Sequence, residues 1–244
     1  MGAGGRVPPS APRFARRPDA VPAVELRLAG LAVDDDEVGR LLHLLDAGEH
    51  AQAARFRFTR HRRRYIVRRG RLREWIGAQQ GVAPQRVTFA INPYGKPESP
   101  GWDRQFSASH SIETMMVAFA ACPVGCDIEA EQSGLVWRPL AARLFAPGER
   151  AGLDALDDVE GRKAFFRVWA RKEAFVKAIG QGLSYPLEQF EVSLGEKAEL
   201  LSGGEGWAIS GYNLSGFGCA VVARDDGTPL QIGLQNEGSL PIVR

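Results

Sequence analysis

The sequence predicts an α+β fold made of two similar α/β lobes in one chain, with a cleft between them. Three observations predict it. Strand-like alternation and helix-like spacing are interspersed along the chain. A length of 244 residues is enough for two lobes of about 100 residues each. The order helix, Gly, Pro, strand also occurs twice. Tyr65 to Gly77 ends in Trp-Ile-Gly and leads through Pro84 to a strand at Phe89; Val168 to Gly180 ends in Ala-Ile-Gly and leads through Pro186 to a strand at Val192. The offset is about 102 residues, close to the lobe size that length alone suggests. The expected division is a flexible leader over 1–22, lobes over 23–123 and 124–224, and a tail over 225–244. A cleft between lobes is a usual place for a ligand.

Composition narrows the class. A net charge of +2, 44% hydrophobic and 25% charged residues describe an ordinary soluble protein. Cys122, Cys126 and Cys219 are odd in number and lack a second Cys/His pair, so they read as reduced, packed thiols. No apolar run reaches the roughly 18 residues of a membrane span. No signal-peptide core follows the early arginines and prolines. The expectation is a cytoplasmic protein without a membrane anchor.

In the first lobe, Val24 to Leu28 alternates as a strand does, and Asp34-Asp35-Asp36 caps a helix carrying Val38, Leu41, Leu42 and Leu45. Arg55 to Arg73 then holds ten arginines, with Tyr65, Leu72, Trp75 and Ile76 as an apolar stripe. No acid precedes Glu74, so ten guanidinium groups would repel one another without an anionic partner. A solvated basic face is one reading and a phosphate-binding surface another, since guanidinium forks match phosphate oxygens. RNA is a third, but a chain balanced at +2 favours a small phosphate ligand. Val87 to Ile91 reads as a strand. Asn92-Pro93-Tyr94-Gly95-Lys96-Pro97 reads as a loop with Lys96 free at its tip to meet an anion. Phe106-Ser107-Ala108-Ser109-His110-Ser111 reads as a second polar loop, whose hydroxyls and imidazole suit a phosphate or ribose. Met115 to Ala121 is an apolar strand.

The second lobe opens on Val124-Gly125-Cys126-Asp127-Ile128-Glu129, which alternates strictly. Asp127 and Glu129 share a face about 6.5–7 Å apart along the strand, so their oxygens can converge on a hard cation such as Mg²⁺. Gly125 leaves room for a close neighbour. Short helical pieces flank a turn at Ala146-Pro147-Gly148-Glu149. The next helix places Phe165, Trp169, Val176 and Ile179 on one face, with Glu173 and Lys177 one turn apart on its flank. Lys172 projects from the middle of the apolar stripe, where a purely structural helix avoids a charge. Gly180 and Gly182 stop the helix. Phe190 to Leu194, Trp207 to Ile209 and Gly218 to Val222 read as strands, and the last twenty residues carry no site signal.

The motifs Val124-Gly125-Cys126-Asp127-Ile128-Glu129 and Phe165-Phe166-Arg167-Val168-Trp169-Ala170-Arg171-Lys172-Glu173-Ala174-Phe175-Val176-Lys177 are supported by Tyr94-Gly95-Lys96-Pro97, Phe106 to Ser111 and Gly182-Leu183-Ser184. In this order they resemble the 4′-phosphopantetheinyl transferase family, in particular its surfactin-type members, which are pseudo-dimers in one chain. The resemblance runs from about Glu49 to Val222. It implies transfer of the phosphopantetheine arm of coenzyme A to a serine of an acyl or peptidyl carrier protein, with release of 3′,5′-ADP. It further implies that Asp127, Glu129 and Glu173 hold Mg²⁺, that Glu173 deprotonates the serine, and that Lys177 serves the departing phosphate. Gly95, Lys96, Ser109, His110 and Arg64 would line the coenzyme A site, and the enzyme would act as a monomer without nucleic acid or membrane. Two departures stand out. Glu49 and Gln52 lie where the family often has lysines for the 3′-phosphate, which shifts that role to Arg57, Arg60 or Arg62. Ser107-Ala108 replaces the commoner Asn-Ile. A non-catalytic coenzyme A or nucleotide binder of the same fold is the alternative, disfavoured by the intact acidic trio.

Overall fold

Two helices of 22 residues each, α3 (Thr59–Gln80) and α6 (Asp158–Ile179), dominate a computed structural model that describes residues 23–225, 227 and 230–237. The expected leader, 1–22, lies outside the described residues. Ahead of α3 come β1 (Ala23–Gly30), α1 (Asp35–Leu42) and α2 (Ala47–Ala54). After it come a turn of 3₁₀ helix at Pro84–Arg86, the short strands β2 (Ala90–Ile91) and β3 (Pro97–Glu98), and the hairpin β4 (Gln105–Ser111) and β5 (Thr114–Ala120). The same order then recurs. β6 (Val124–Ala130), α4 (Trp137–Leu144) and α5 (Pro147–Asp154) precede α6; Leu187–Gln189, β7 (Glu191–Val192), β8 (Leu200–Ser202), β9 (Trp207–Leu214) and β10 (Phe217–Arg224) follow it.

Strand pairing repeats as well. One sheet runs β1-β5-β4 and the other β6-β10-β9, antiparallel throughout. The first carries an extra edge: β11 (Gln231–Glu237) pairs in parallel with β1, Leu26 opposite Leu234. The stretch expected as a tail thus supplies a strand. Every residue of β5 is buried, as a strand covered on both faces requires. One core packs Ile66, Trp75 and Ile76 of α3 against Leu41, Phe106 and Phe119. Another packs Phe165, Phe175 and Val176 of α6 against Ala220 and Val222. A third lies among β1, β5, β6 and β10, where Leu26, Met116, Cys126, Ile128 and Val221 meet.

Several local expectations need correcting. Phe106 to Ser111 is strand β4, not a polar loop. Its serines face β6, where Ser107 Oγ accepts from Cys126 N at 3.0 Å and Ser111 Oγ from Ala130 N at 3.0 Å. Those hydroxyls join the two sheets where no ladder pairs β4 with β6. The strands expected over Val87–Ile91 and Phe190–Leu194 shrink to two-residue ribbons. The α6 helix is buried well beyond one stripe, with Phe166, Ala170, Arg171 and Ala174 also inside.

Lys172 is explained by its surroundings. It is 0% exposed. Its Nζ donates to Leu187 O at 2.8 Å and Phe190 O at 2.7 Å, and pairs with Glu149 Oε2 at 2.8 Å. Glu149, equally buried, also accepts from Ala146 N and Val192 N. The ammonium is therefore a clamp tying α6 to the cap of α5 and to the segment after α6. The first half holds a matching clamp. Fully buried Arg73 of α3 donates to Glu49 Oε2 at 2.6 Å and Val87 O at 2.8 Å, while Glu49 accepts from Asp46 N at 3.1 Å.

The same contacts resolve the arginine run. Arg63 meets Asp35, Arg64 meets Glu113, Arg69 meets Glu49, Arg71 meets Glu37 and Glu237, and Arg73 meets Asp46 and Glu49. Half of the charges are thus balanced by carboxylates distant in sequence, and the expected repulsion does not arise for them. Among the described residues, no helix is long and apolar enough to cross a membrane.

Candidate active site

The site forms where α6 lies directly on β6. A Cβ on Gly125 would come within 2.0 Å of Ala174 O and 2.3 Å of Ala178 N, and one on Gly218 of β10 within 2.3 Å of Phe166 O. Only glycine allows this approach, because the opposing atoms are backbone. The consequence is that α6 brings Glu173 and Lys177 to the strand that carries Asp127 and Glu129.

Asp127 is the hub. It is 1% exposed, and its Oδ1 accepts from Lys177 Nζ at 2.5 Å and Ser109 Oγ at 2.6 Å. Lys177 Nζ also donates to Ser109 Oγ at 3.1 Å. Asp127 Oδ2 is buried and has no hydrogen-bond partner among the described residues. Ser111 Oγ reaches Glu129 Oε2 at 3.2 Å. Burial and the Asp127 charge push Glu129 up to about 7, and the same two causes raise Glu173. Burial works to lower the Lys177 pKa, but the Asp127 carboxylate outweighs it and leaves the ammonium above its ordinary value.

Among the described residues, no three His, Cys, Asp or Glu side chains stand arranged to hold a metal ion. The donor chemistry of the cluster nonetheless suits a hard cation. Asp127 has a buried oxygen without a donor, which is costly as it stands, and the two glutamates beside it share its negative field.

A cavity of about 240 Å³ opens beside this cluster, walled by Gly95, Lys96, Ala108, Glu173 and Lys177. Gly95, at φ 92°, holds a backbone conformation that side chains disfavour. Asn92 fixes the loop: its Oδ1 accepts from Tyr94 N and Lys96 N, and its Nδ2 donates to Gly180 O at 3.0 Å. Lys96 is not free at the loop tip as expected. Its Nζ donates to Val124 O at 2.9 Å, and burial lowers its pKa to about 8. Gly180 ends α6 in the left-handed conformation, as anticipated.

On the α3 side, Arg64 is held by Glu113, with Nε to Oε1 at 2.8 Å. His110 lies at the exposed edge of β4, its ring nitrogens 2.8 and 2.5 Å from Arg68 Nη1. Desolvation of the ring, then the charges of Arg68, Lys177 and Arg64, hold its pKa down to about 4. Arg57 and Arg60 sit over the ring of exposed Phe58 at the open start of α3. The sequence placed Asn92, Ser111 and Arg68 within motifs without assigning any of them a role of its own. The spacing Arg60, Arg64, Arg68, one helical turn each, was a signal for the last.

Residues 123–221 match the family model of the 4′-phosphopantetheinyl transferase superfamily, a span that includes β6 and α6. Named relatives are similar over most of the chain. A 4′-phosphopantetheinyl transferase of Bacillus subtilis is 31% identical over 159 residues, covering 65% of this chain and 70% of the relative. The 4′-phosphopantetheinyl transferase HetI of Nostoc sp. is 35% identical over 177 residues, 70% of this chain and 74% of the relative. The 4′-phosphopantetheinyl transferase Sfp of Bacillus subtilis strain 168 is 28% identical over 180 residues, 72% and 80% of the two chains.

Proposed function

This chain belongs to the 4′-phosphopantetheinyl transferase superfamily and is such a transferase; from that premise we propose a Mg²⁺-dependent transfer from coenzyme A to a carrier-protein serine, with release of 3′,5′-ADP. The observation that carries the metal assignment is the buried, partnerless Oδ2 of Asp127 beside two glutamates of raised pKa. Asp127, Glu129 and Glu173 would hold Mg²⁺, which when bound withdraws charge from the pyrophosphate oxygens.

The chain's own residues do the rest. Glu173, a stronger base than an exposed glutamate because burial and Asp127 raise its pKa, accepts the proton from the serine Oγ. The serine oxygen bonds to the phosphorus of the pantetheine phosphate as the bond from that phosphorus to the bridging oxygen breaks. Lys177 stays protonated beside Asp127 and meets the charge gathering on the departing phosphate. Ser109 orients both Asp127 and Lys177. Gly95 and Lys96 wall the cavity beside the cluster, and His110 and Arg64, on the α3 side, would meet the nucleotide end of coenzyme A.

The same reading makes the chain a pseudo-dimer of two lobes, 23–123 and 124–224, with the site in the cleft between them. Support comes from the repeated order of elements and the twin Arg73–Glu49 and Lys172–Glu149 clamps. The partner is an acyl or peptidyl carrier protein, and the enzyme works as a cytoplasmic monomer. Incubation with coenzyme A, Mg²⁺ and a panel of apo carriers, read by intact mass, should add one phosphopantetheine arm to at least one carrier. Asp127→Ala should abolish the addition while the protein stays folded. Full activity in that variant would sink the assignment.

A further inference from the structure

A second cavity, of about 710 Å³, opens where residues 92–106 face the end of α6, the start of β9 and the end of β10. It is about three times the size of the one beside the acidic cluster, and none of Asp127, Glu129, Glu173 or Lys177 lines it. Its volume lies in the range of small-molecule sites, roughly 300–1,000 Å³. Its walls combine two chemistries. Trp102, Trp207 and Ile179 supply apolar surface, while Lys96, Arg104 and Arg224 set three positive charges against one carboxylate, Glu98. Arg104 is partly spent, donating to Gln79 Oε1 with Glu25 3.6 Å away. Arg224 is not. It is exposed, its guanidinium carbon stands 5.2 Å from the Trp207 ring centroid, and among the described residues no carboxylate pairs with it. Lys96 likewise pairs with no carboxylate there. Its ammonium donates to Val124 O at 2.9 Å, and burial lowers its pKa to about 8.

We propose that this cavity is a second site, for a small organic anion with a flat apolar body and one acidic group, coupled to the active-site cavity through Lys96. The body gains from the tryptophan surface, and a carboxylate, sulfonate or phosphate supplies the counter-charge that Arg224 and Lys96 lack. The coupling follows from the walls. Lys96, Pro97 and Gly180 line both cavities. Asn92, which also lines the larger one, accepts from Lys96 N and donates to Gly180 O, so the shared wall is one hydrogen-bonded unit. A single ammonium cannot meet an anion in each cavity. An occupant of the larger cavity that draws Lys96 to itself therefore weakens the hold on an anion in the smaller one, and by linkage the reverse holds equally. The site stands apart from the coenzyme A reading above; its coupling rests on that reading for the identity of the second ligand.

The probe is anilinonaphthalene sulfonate, a fluorescent organic anion, and its control is phenylnaphthylamine, the same rings without the sulfonate. Wild type should bind one sulfonate probe per chain. Arg224→Gln should weaken that binding on the order of tenfold, the worth of a charged hydrogen bond, and leave the uncharged probe unchanged. Gln181→Glu adds a carboxylate at an exposed position of the same wall; it should act in the same direction and stands in if the first variant does not fold. Rising coenzyme A should weaken the sulfonate probe on the order of fivefold and then no further, because both ligands can be bound at once. Binding that neither variant changes, or a loss shared equally by both probes, overturns the proposal. Displacement by coenzyme A without a plateau also overturns it, since the probe then sits in the active-site cavity. So does the lack of any response to coenzyme A in a protein that modifies a carrier. If no carrier is modified and coenzyme A has no effect, yet the sulfonate probe alone responds to both variants, the transferase reading fails while this site stands.

Discussion

Lys172→Met isolates the contribution of the buried clamp in α6. The substitution removes an ammonium with 0% exposure that makes three bonds of 2.7–2.8 Å, to two carbonyls and to Glu149. Methionine fills much the same space, so packing loss is small. What remains is a buried carboxylate without its counter-charge and two carbonyls without their donor. Removing one partner of a buried pair costs about 3–5 kcal/mol. In a chain of this size each kcal/mol shifts Tm by about 2–4 °C, so the melting point should fall by roughly 6–20 °C. The loss depends on pH with a definite sign. Burial holds the folded-state pKa of Glu149 above its unfolded value, and losing Lys172 raises it further. The folded variant then keeps a proton that the unfolded chain releases, so its deficit is smallest in acid and grows as pH rises through the folded pKa. Adding Glu149→Gln should recover part of the loss. Urea denaturation followed by tryptophan fluorescence, at pH 5 and pH 8, measures all of these. A deficit equal at both pH values, with the two substitutions additive within about 0.5 kcal/mol, would refute the clamp.

Gly125→Ala places a Cβ against the backbone of α6 and must part the helix from β6. Transfer should drop by more than about a hundredfold, since a displacement near 1 Å costs that much, and retention of wild-type kcat would contradict the packing described. The His110 ring should titrate near 4, followed through its carbon-bound protons by NMR, and move upward in Arg68→Met; a native midpoint at the ordinary 6.5 would count against the cationic surroundings. Its pKa is depressed, so the associated stability is complete above 6.5 and declines as pH falls toward 4. Cys126, its thiol pushed up to about 11 by burial, and buried Cys219, pushed up likewise, should resist alkylation at pH 8 until urea is added. Rapid labelling of either in the native enzyme would be inconsistent with the sheet packing.

What the sequence disclosed follows from how local each feature is. The helices α3 and α6 and the strands β5 and β6 announce themselves through the spacing of their own apolar residues. Asp127 and Glu129 needed only the strand period to share a face, and Glu173 and Lys177 only the helix period. β4 escaped because its serines serve β6 rather than its own ladder, so polarity resembled a loop. Lys172 and the arginine run looked anomalous because their partners, Glu149, Glu49, Glu113 and Asp35, lie in other elements. The stranded oxygen of Asp127 emerges only from a full account of partners in three dimensions.

The strand β11 has a consequence for how the chain reaches its native state. It joins β1 in parallel across roughly 200 residues of sequence. The β4–β5 hairpin can close early, and β1 can dock on β5 once the first hundred or so residues are available. The outer edge of β1 then stays open, with its N–H and C=O groups unpaired, until nearly the whole described chain has been synthesised. Such an edge is a template for pairing with another molecule, and contacts so distant in sequence form late. The interval between hairpin closure and the arrival of β11 is therefore when this protein is most exposed to aggregation, and when a chaperone would help it most.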